Sequence, residues 1–302
     1  LRLGAFAAVE LRVLWGVLEE SEHFDFASGN DRRLLGGLVA SLQPSLLPGF
    51  TVGAASLVHS RLDGFEAADL LNFVQAPTQD VAGNVDGNGL GALFARWAVP
   101  GSGFEAFVEW ARDDYASDMD LLVSEPDRAR ALTLGVQQVG RWGDGLLRLH
   151  AETTRLTADE PDIEQAGLAR AVFYTHAEVP QGHTHRGQLL GAAVGPGSDA
   201  QYLALDLLAP GGSWGVWFER VRWDDDAYVR QKAPTYGRDG HDVELGIGLR
   251  HARAVGALRV SLEASTRLRR NRQFHNLVGA DPAFPWETNG GLEATVSWVP
   301  GR

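Results

Sequence analysis

The chain has 302 residues, no cysteine and a formal net charge of −12. The missing cysteines exclude a disulfide framework and thiolate metal sites. The charge argues against nucleic acid, whose phosphates need stripes of Lys and Arg, and it disfavours anionic lipid as a specific ligand on the same ground. No stretch supplies the roughly twenty apolar residues that a spanning helix requires. A β-barrel pairs all its backbone groups between strands, so a membrane location stays open, and a chain of this length can close one large all-β unit.

In chain order, strands are predicted near residues 3–15, 33–43, 50–59, 89–99, 103–113, 128–141, 145–156, 169–176, 188–194, 201–208, 213–223, 241–254, 256–268 and 291–299, about fourteen in all. The uncharged stretch 34–60 is broken by Pro44 and Pro48 into two strands around a Leu46-Leu47-Pro48-Gly49 turn. Several strands alternate cleanly. Leu147, Leu149 and Ala151 oppose Arg148, His150 and Glu152; Val243, Leu245, Ile247 and Leu249 oppose Asp242, Glu244 and Arg250. In the run 257–269, Leu258, Val260, Leu262, Ala264 and Leu268 oppose Arg259, Ser261, Glu263, Ser265, Arg267 and Arg269; Leu292, Ala294, Val296 and Trp298 oppose Glu293, Thr295 and Ser297. Strand side chains point alternately to opposite faces, so each segment has one apolar and one polar surface. Repeated over many strands, this pattern predicts an all-β, transmembrane antiparallel β-barrel with a wet interior.

Short connections such as Pro100-Gly101-Ser102, Gly143-Asp144 and Pro210-Gly211-Gly212 are expected on one rim. The longer ones, 61–88, 114–127, 224–239 and 270–287, are expected on the other, with one or two helical turns at 66–73 and an acidic exposed stretch at 159–167. Trp15, Trp97, Trp110, Trp142, Trp214, Trp223 and Trp298 lie near predicted strand ends, where an interfacial girdle would place them. The charged parity is expected to pair across neighbouring strands and to narrow the lumen.

The candidate binding residues are polar groups and aromatics in loops or facing inward. His183 and His185 share one side of an extended segment, with His176 on a neighbouring one; a polar lining able to hydrogen-bond sugar hydroxyls, helped by Arg186 and Gln188, is preferred over a metal site. Tyr115, Tyr228, Tyr236, Phe274 and Trp286 are candidate stacking surfaces for carbohydrate, with Asp225 nearby. Two carboxylate pairs raise a glycosidase reading. Glu105 and Glu109 would stand about 13 Å apart on a strand, beyond the roughly 5 to 9.5 Å such a pair requires. Asp224 and Asp226 lie beside Arg220, Arg222 and Arg230, which would keep both ionised. The expectation is a protein without catalytic residues, metal or cofactor.

Several phrases carry a more specific likeness. They are Phe104-Glu105 with Val108-Glu109-Trp110 and Asp113-Asp114; Arg130-Ala131-Leu132-Thr133-Leu134-Gly135; Tyr174-Thr175-His176; Gln181-Gly182-His183-Thr184-His185-Arg186-Gly187-Gln188; Gly195-Pro196-Gly197-Ser198; and Trp217-Phe218-Glu219-Arg220 before Asp225-Asp226 and Tyr228. Upstream stand Trp15-Gly16, Glu20-Ser21, Phe24-Asp25, Arg32-Arg33 and Pro48-Gly49. In these the chain resembles the capsule assembly Wzi family of outer-membrane proteins. The resemblance implies one barrel domain over residues 1–302, a family barrel of about eighteen strands of which some first ones are missing here, and a place in the bacterial outer membrane. It also implies outer-membrane lipid, surface or capsular polysaccharide and other envelope proteins as partners. The polysaccharide would be held by Tyr115, His176, His183, His185, Arg186, Asp225, Tyr228, Tyr236 and Trp286. A passive porin-like channel, or a structural barrel within an envelope assembly, is the alternative.

Overall fold

In lipid every backbone N–H and C=O must find a partner within the protein, so alternating strands have to pair sideways in one uninterrupted ladder. The computed structural model has that ladder. It describes residues 2–3, 6–25, 31–62, 71, 73, 87–113, 130–157, 173–176, 179–231, 240–274 and 286–298. After the two-residue β1 (Arg2–Leu3) come β2 (Ala7–Glu19), β3 (Arg32–Pro44), β4 (Phe50–Arg61), β5 (Gly87–Ala98), β6 (Phe104–Asp113), β7 (Arg130–Trp142) and β8 (Gly145–Arg155). A small hairpin of β9 (Thr184–His185) and β10 (Gln188–Leu189) precedes β11 (Asp199–Ala209), β12 (Gly212–Trp223), β13 (Asp242–Val255), β14 (Leu258–Arg270) and β15 (Trp286–Trp298).

Each long strand pairs antiparallel with its neighbour in sequence, and β8 passes directly to β11. Among the described residues β15 bonds to β14 alone. The fold is that of a transmembrane antiparallel β-barrel; among the described residues no helix is long and apolar enough to cross a membrane.

Two expected strands are absent from the sheet. Residues 173–176 are turn and coil, with 169–172 outside the described residues, and within 188–194 only β10 is extended. The cause is backbone geometry. Tyr174 and Arg186 take φ of 69° and 50°, and Gly182, Gly187, Gly195 and Gly197 are also left-handed, whereas a ladder strand needs φ near −120 to −140°. At the ends, β2 starts later and β15 earlier than the alternation suggested. The expected helical turns at 66–73 and the acidic stretch 159–167 lie outside the described residues, apart from Leu71 and Phe73.

Residues directly opposite in an antiparallel pair share a face, so the register assigns every side chain. The row Glu105, Gln137, His150, Ala204, Trp217, Gly248, Ser265 points inward. The outward rows are apolar and uncovered: Leu11 is 63% exposed, Leu249 59% and Leu292 82%. In β14 the outward residues from Leu258 to Leu268 cover about 34 Å of strand, which a tilt near 40° reduces to about 26 Å, the height of a bilayer-facing band. Trp97, Trp142, Trp214 and Trp298 point outward at the short-turn rim, and Trp15, Trp110 and Trp286 outward toward the other. Trp223 departs from the expected girdle. It shares the inward face with Asp242, and the Arg269 guanidinium lies 5.1 Å from its ring.

The inward charges pair across strands. Asp206 of β11 accepts hydrogen bonds from Arg148 of β8 (2.8 Å) and Arg250 of β13 (2.8 Å). Arg250 reaches Asp206 across β12 because the residue between them is Gly215; a Cβ there would stand 2.1 Å from the Asp206 carboxylate. Arg267 binds Glu219 and Glu244, and Arg269 binds Asp242. Charge-assisted bonds of this kind tie the five adjacent strands β8, β11, β12, β13 and β14 into one register.

Replacing Asp206 with Ala leaves two partly exposed arginines facing each other. The expected cost, discounted for solvent, is about 1 to 3 kcal/mol, with a similar loss for Gly215→Val. The temperature at which detergent-folded protein loses its compact gel mobility should fall for both; an unchanged temperature would refute this assignment of the network.

Candidate functional site

The long connections all leave one rim, and the buried residues of the strands collect at that end, among them Arg33, Val58, His59, Asn88, Asp113, Val221 and Asp242. Arg33, His59 and Asp113 are covered by the segment 173–198, and Val58 on the outward face by Phe73. The segment leaves β8 and returns to the adjacent β11, yet its contacts lie on β2, β3, β4 and β6, so it spans the mouth of the barrel.

Its seat is polar on one side. Arg33, inward on β3 and fully buried, donates from Nη1 to the Gly182 carbonyl (2.5 Å) and from Nη2 to the Thr184 carbonyl (2.9 Å). The Glu19 backbone N–H donates to His185 Nδ1 (3.1 Å), Arg186 Nε donates to the Glu19 carboxylate (2.7 Å), and the Tyr174 N–H donates to Asp113. On the other side Phe173, Tyr174, Ala192 and Val194 pack on Leu57, Leu90, Ala111 and Leu156, an apolar core inside the barrel. The β9–β10 hairpin turns through Arg186-Gly187 with φ of 50° and 77°, both positive as a two-residue type I′ turn demands. This turn presents Arg186, Gly187 and Gln188 to solvent.

Beneath the segment lies a group of buried polar atoms. His59 and Asn88 are opposite one another on β4 and β5, and the His59 ring lies 5.2 Å from that of His183, which stacks on Tyr174 at 5.7 Å. Among the described residues both ring nitrogens of His59, both amide atoms of Asn88 and Nδ1 of His183 lack a hydrogen-bond partner. Buried groups of this kind are normally satisfied by hydroxyls or water. His176 is close enough to act electrostatically on His59. Burial, reinforced by the Arg33 charge, holds the His183 imidazole down to about 4. Among the described residues no three carboxylate or imidazole groups are placed to hold an ion.

A second cluster lies above β12 and β13. Asp225 opens the short helix α1 (Asp225–Gln231) and is gripped by His241 (2.5 Å) and Arg222 (3.2 Å). Tyr228, fully buried, meets the His241 ring at 4.3 Å with the two planes tilted by 47°, and accepts the Gly240 N–H on its hydroxyl. Asp224 and Asp226 flank the start of this helix instead of extending a strand, and Asp226 is buried. Glu105 is paired with Arg96 at 2.6 Å.

The sequence candidates therefore separate. His176, His183, His185 and Arg186 come together on the crossing segment; of these His183 is 3% exposed and Arg186 open. Asp225 and Tyr228 hold the second cluster together. Trp286, expected in a loop, begins β15 and faces outward opposite Arg270. Tyr115 and Tyr236 lie outside the described residues. Sequence reading missed Arg33, His59 and Asn88. The available signal was a lone Arg and a lone His on the inward parity of strands otherwise poor in charge.

No family model matches the chain, and no characterised protein matches it by sequence. Among solved structures it is similar to Wzi of Escherichia coli, described as an outer membrane protein involved in group 1 capsule assembly and a carbohydrate-binding β-barrel. The TM-score is 0.59 at 13% identity over 93% of this chain; the chain spans 55% of that protein. A second match, Pseudomonas aeruginosa OccK8 (OprE), has a TM-score of 0.36 at 12% identity, over 94% of this chain and 73% of that one. At these identities the likeness is one of fold.

Arg33→Met removes both clamps on the crossing segment, so limited proteolysis within 173–198 should become faster while the strands stay protected. Acid should act in the same direction. His183 is held below its ordinary value near 6.5, so the released segment binds a proton that the seated one refuses, and stability of the seat falls as pH drops from about 6.5 toward 4. Cleavage insensitive to pH over that window would contradict the burial of His183.

Proposed function

We propose that the chain belongs to a non-catalytic outer-membrane barrel that holds a surface polysaccharide at its long-loop rim. The observation that carries the reading is the crossing segment: a seated chain across the mouth obstructs a wide aqueous path and offers a fixed polar platform, in which Arg186 and Gln188 are exposed on a tight turn. A preorganised surface of donors suits sugar hydroxyls, because little ordering is needed on binding. The likeness to a carbohydrate-binding barrel supports the same ligand class, and long loops on one rim support an outer-membrane orientation with that rim outside. A capsular polysaccharide is the substrate class we favour.

Pull-down of purified, detergent-folded protein on immobilised capsular polysaccharide tests this. The expected result is retention that drops severalfold in an Arg186→Ala/Gln188→Ala variant with unaltered gel mobility. Planar-bilayer recording separates the channel alternative: steady large currents from the unmodified protein, with no polysaccharide retention, would replace the binding reading by a porin.

A further inference from the structure

Under the crossing segment the inward face of the barrel gathers positive charge and unused donors. Arg33 on β3 stands directly opposite Arg61 on β4, an arrangement of like charges that disfavours the pair unless an anion lies between. His59 shares the Arg61 face of β4 two residues away, about 7 Å along the strand, and Asn88 of β5 is directly opposite His59. Arg33, His59 and Asn88 are fully buried and Arg61 is half-buried. The Arg33 charge acts on both His59 and His183, so these groups are close in space as well as in register.

Their bonding is incomplete. Arg33 spends Nη1 and Nη2 on the Gly182 and Thr184 carbonyls, but its Nε has no acceptor. Among the described residues Arg61 Nε, both ring nitrogens of His59, the Asn88 amide and Nδ1 of His183 have no partner either, and Arg61 makes no ion pair. Two described carboxylates lie near, and both are used elsewhere: Glu20 acts on Arg33 without pairing with it and accepts from Gln181, and Asp113 accepts the Tyr174 N–H. Water can satisfy an amide or an imidazole, yet it leaves two facing guanidinium charges unbalanced. A metal cation would be repelled by the same charges. An oxyanion answers both needs, because its oxygens accept from several donors at once and a guanidinium grips a carboxylate or phosphate through a planar fork.

We propose that the inner wall of β3, β4 and β5 beneath the crossing segment is a site for one oxyanion, a carboxylate or phosphate group, held between Arg61, Arg33 Nε, His59 and the Asn88 amide. Arg61, free of other partners, supplies the fork, and Arg33 joins the anion to the Gly182 and Thr184 carbonyls above. An anion bound there favours the seated segment over the released one, so occupancy closes the mouth by mass action. The proposal rests on the barrel fold and the seated segment, not on polysaccharide binding.

Detergent-folded protein titrated at fixed ionic strength with sodium phosphate or sodium glucuronate, with glucose as the neutral control, tests it. Phosphate and glucuronate should each slow limited proteolysis within 173–198 severalfold and saturably. A response to phosphate alone identifies a free ion as the source, and a response to glucuronate alone identifies an acidic sugar; either retains the site. In Arg61→Gln the response should vanish. Without either anion this variant should lose its compact gel mobility at a temperature no lower than the parent's, because the charge facing Arg33 is gone. Asn88→Leu, which removes a donor and no charge, should weaken the response, and it decides the matter if Arg61→Gln does not fold. No saturable response to either anion, an equal response to glucose, or an unchanged response in either folded variant would overturn the site. Retention on immobilised polysaccharide reads Arg186 and Gln188 on the solvent side of the segment, so the glycan reading and the anion site can each fail alone.

Discussion

The constraint on which everything else depends is that a backbone exposed to hydrocarbon has no solvent to bond with. A chain that meets lipid along one parity of its strands must satisfy its amides sideways, and the unbroken ladder from β1 to β15 is the consequence. Once the ladder exists, the period of two assigns the phases: Leu11, Leu249 and Leu292 go outward, while Arg148, Asp206 and Arg250 go inward, where opposite charges meet at 2.8 Å.

The mouth obeys a different logic. Segment 173–198 has left-handed residues and cannot join the ladder, so its backbone groups must be met by side chains. Arg33 does this for two carbonyls and Asp113 for an N–H. A fully buried guanidinium is costly unless its donors are used, so the clamp and the segment require each other. The seat also joins strands distant in the ladder: a connection between β8 and β11 rests on β2, β3, β4 and β6, which holds the sheet curled about its own interior. Arg186 and Gln188, the groups proposed to meet a ligand, are thereby carried on a braced turn.

The strands with clean alternation were legible from residue order. β8, β13, β14 and the second half of β15 were read with nearly their observed ends and faces, as was the sorting of short and long connections. Strands without clean alternation, such as β3 and β4, were read too, from the turn residues that bound them, but two segments were misread. The segments 169–176 and 188–194 carry apolar residues that suggest strands, but Phe173, Tyr174, Ala192 and Val194 find their hydrophobic partners in Leu57, Leu90 and Ala111 inside the barrel, which a local pattern does not reveal. Trp223 was placed among outward aromatics because a strand end suits either face; register with Asp242 turns it in. The histidines on 183–185 were found as a group, whereas Asp225 and Tyr228 turned out to hold α1 and His241 together.

Sequence by itself determined the class of fold, the two chemical faces of each regular strand and the alternation of rims, because these follow from a period of two and from turn residues, both local properties. Tertiary structure alone decided that one connection closes the mouth over Arg33 and His59, and that Asp206 meets Arg148 and Arg250 from strands on either side. Those features depend on which strands become neighbours in space, and the order of residues along one strand carries no record of what stands across the barrel.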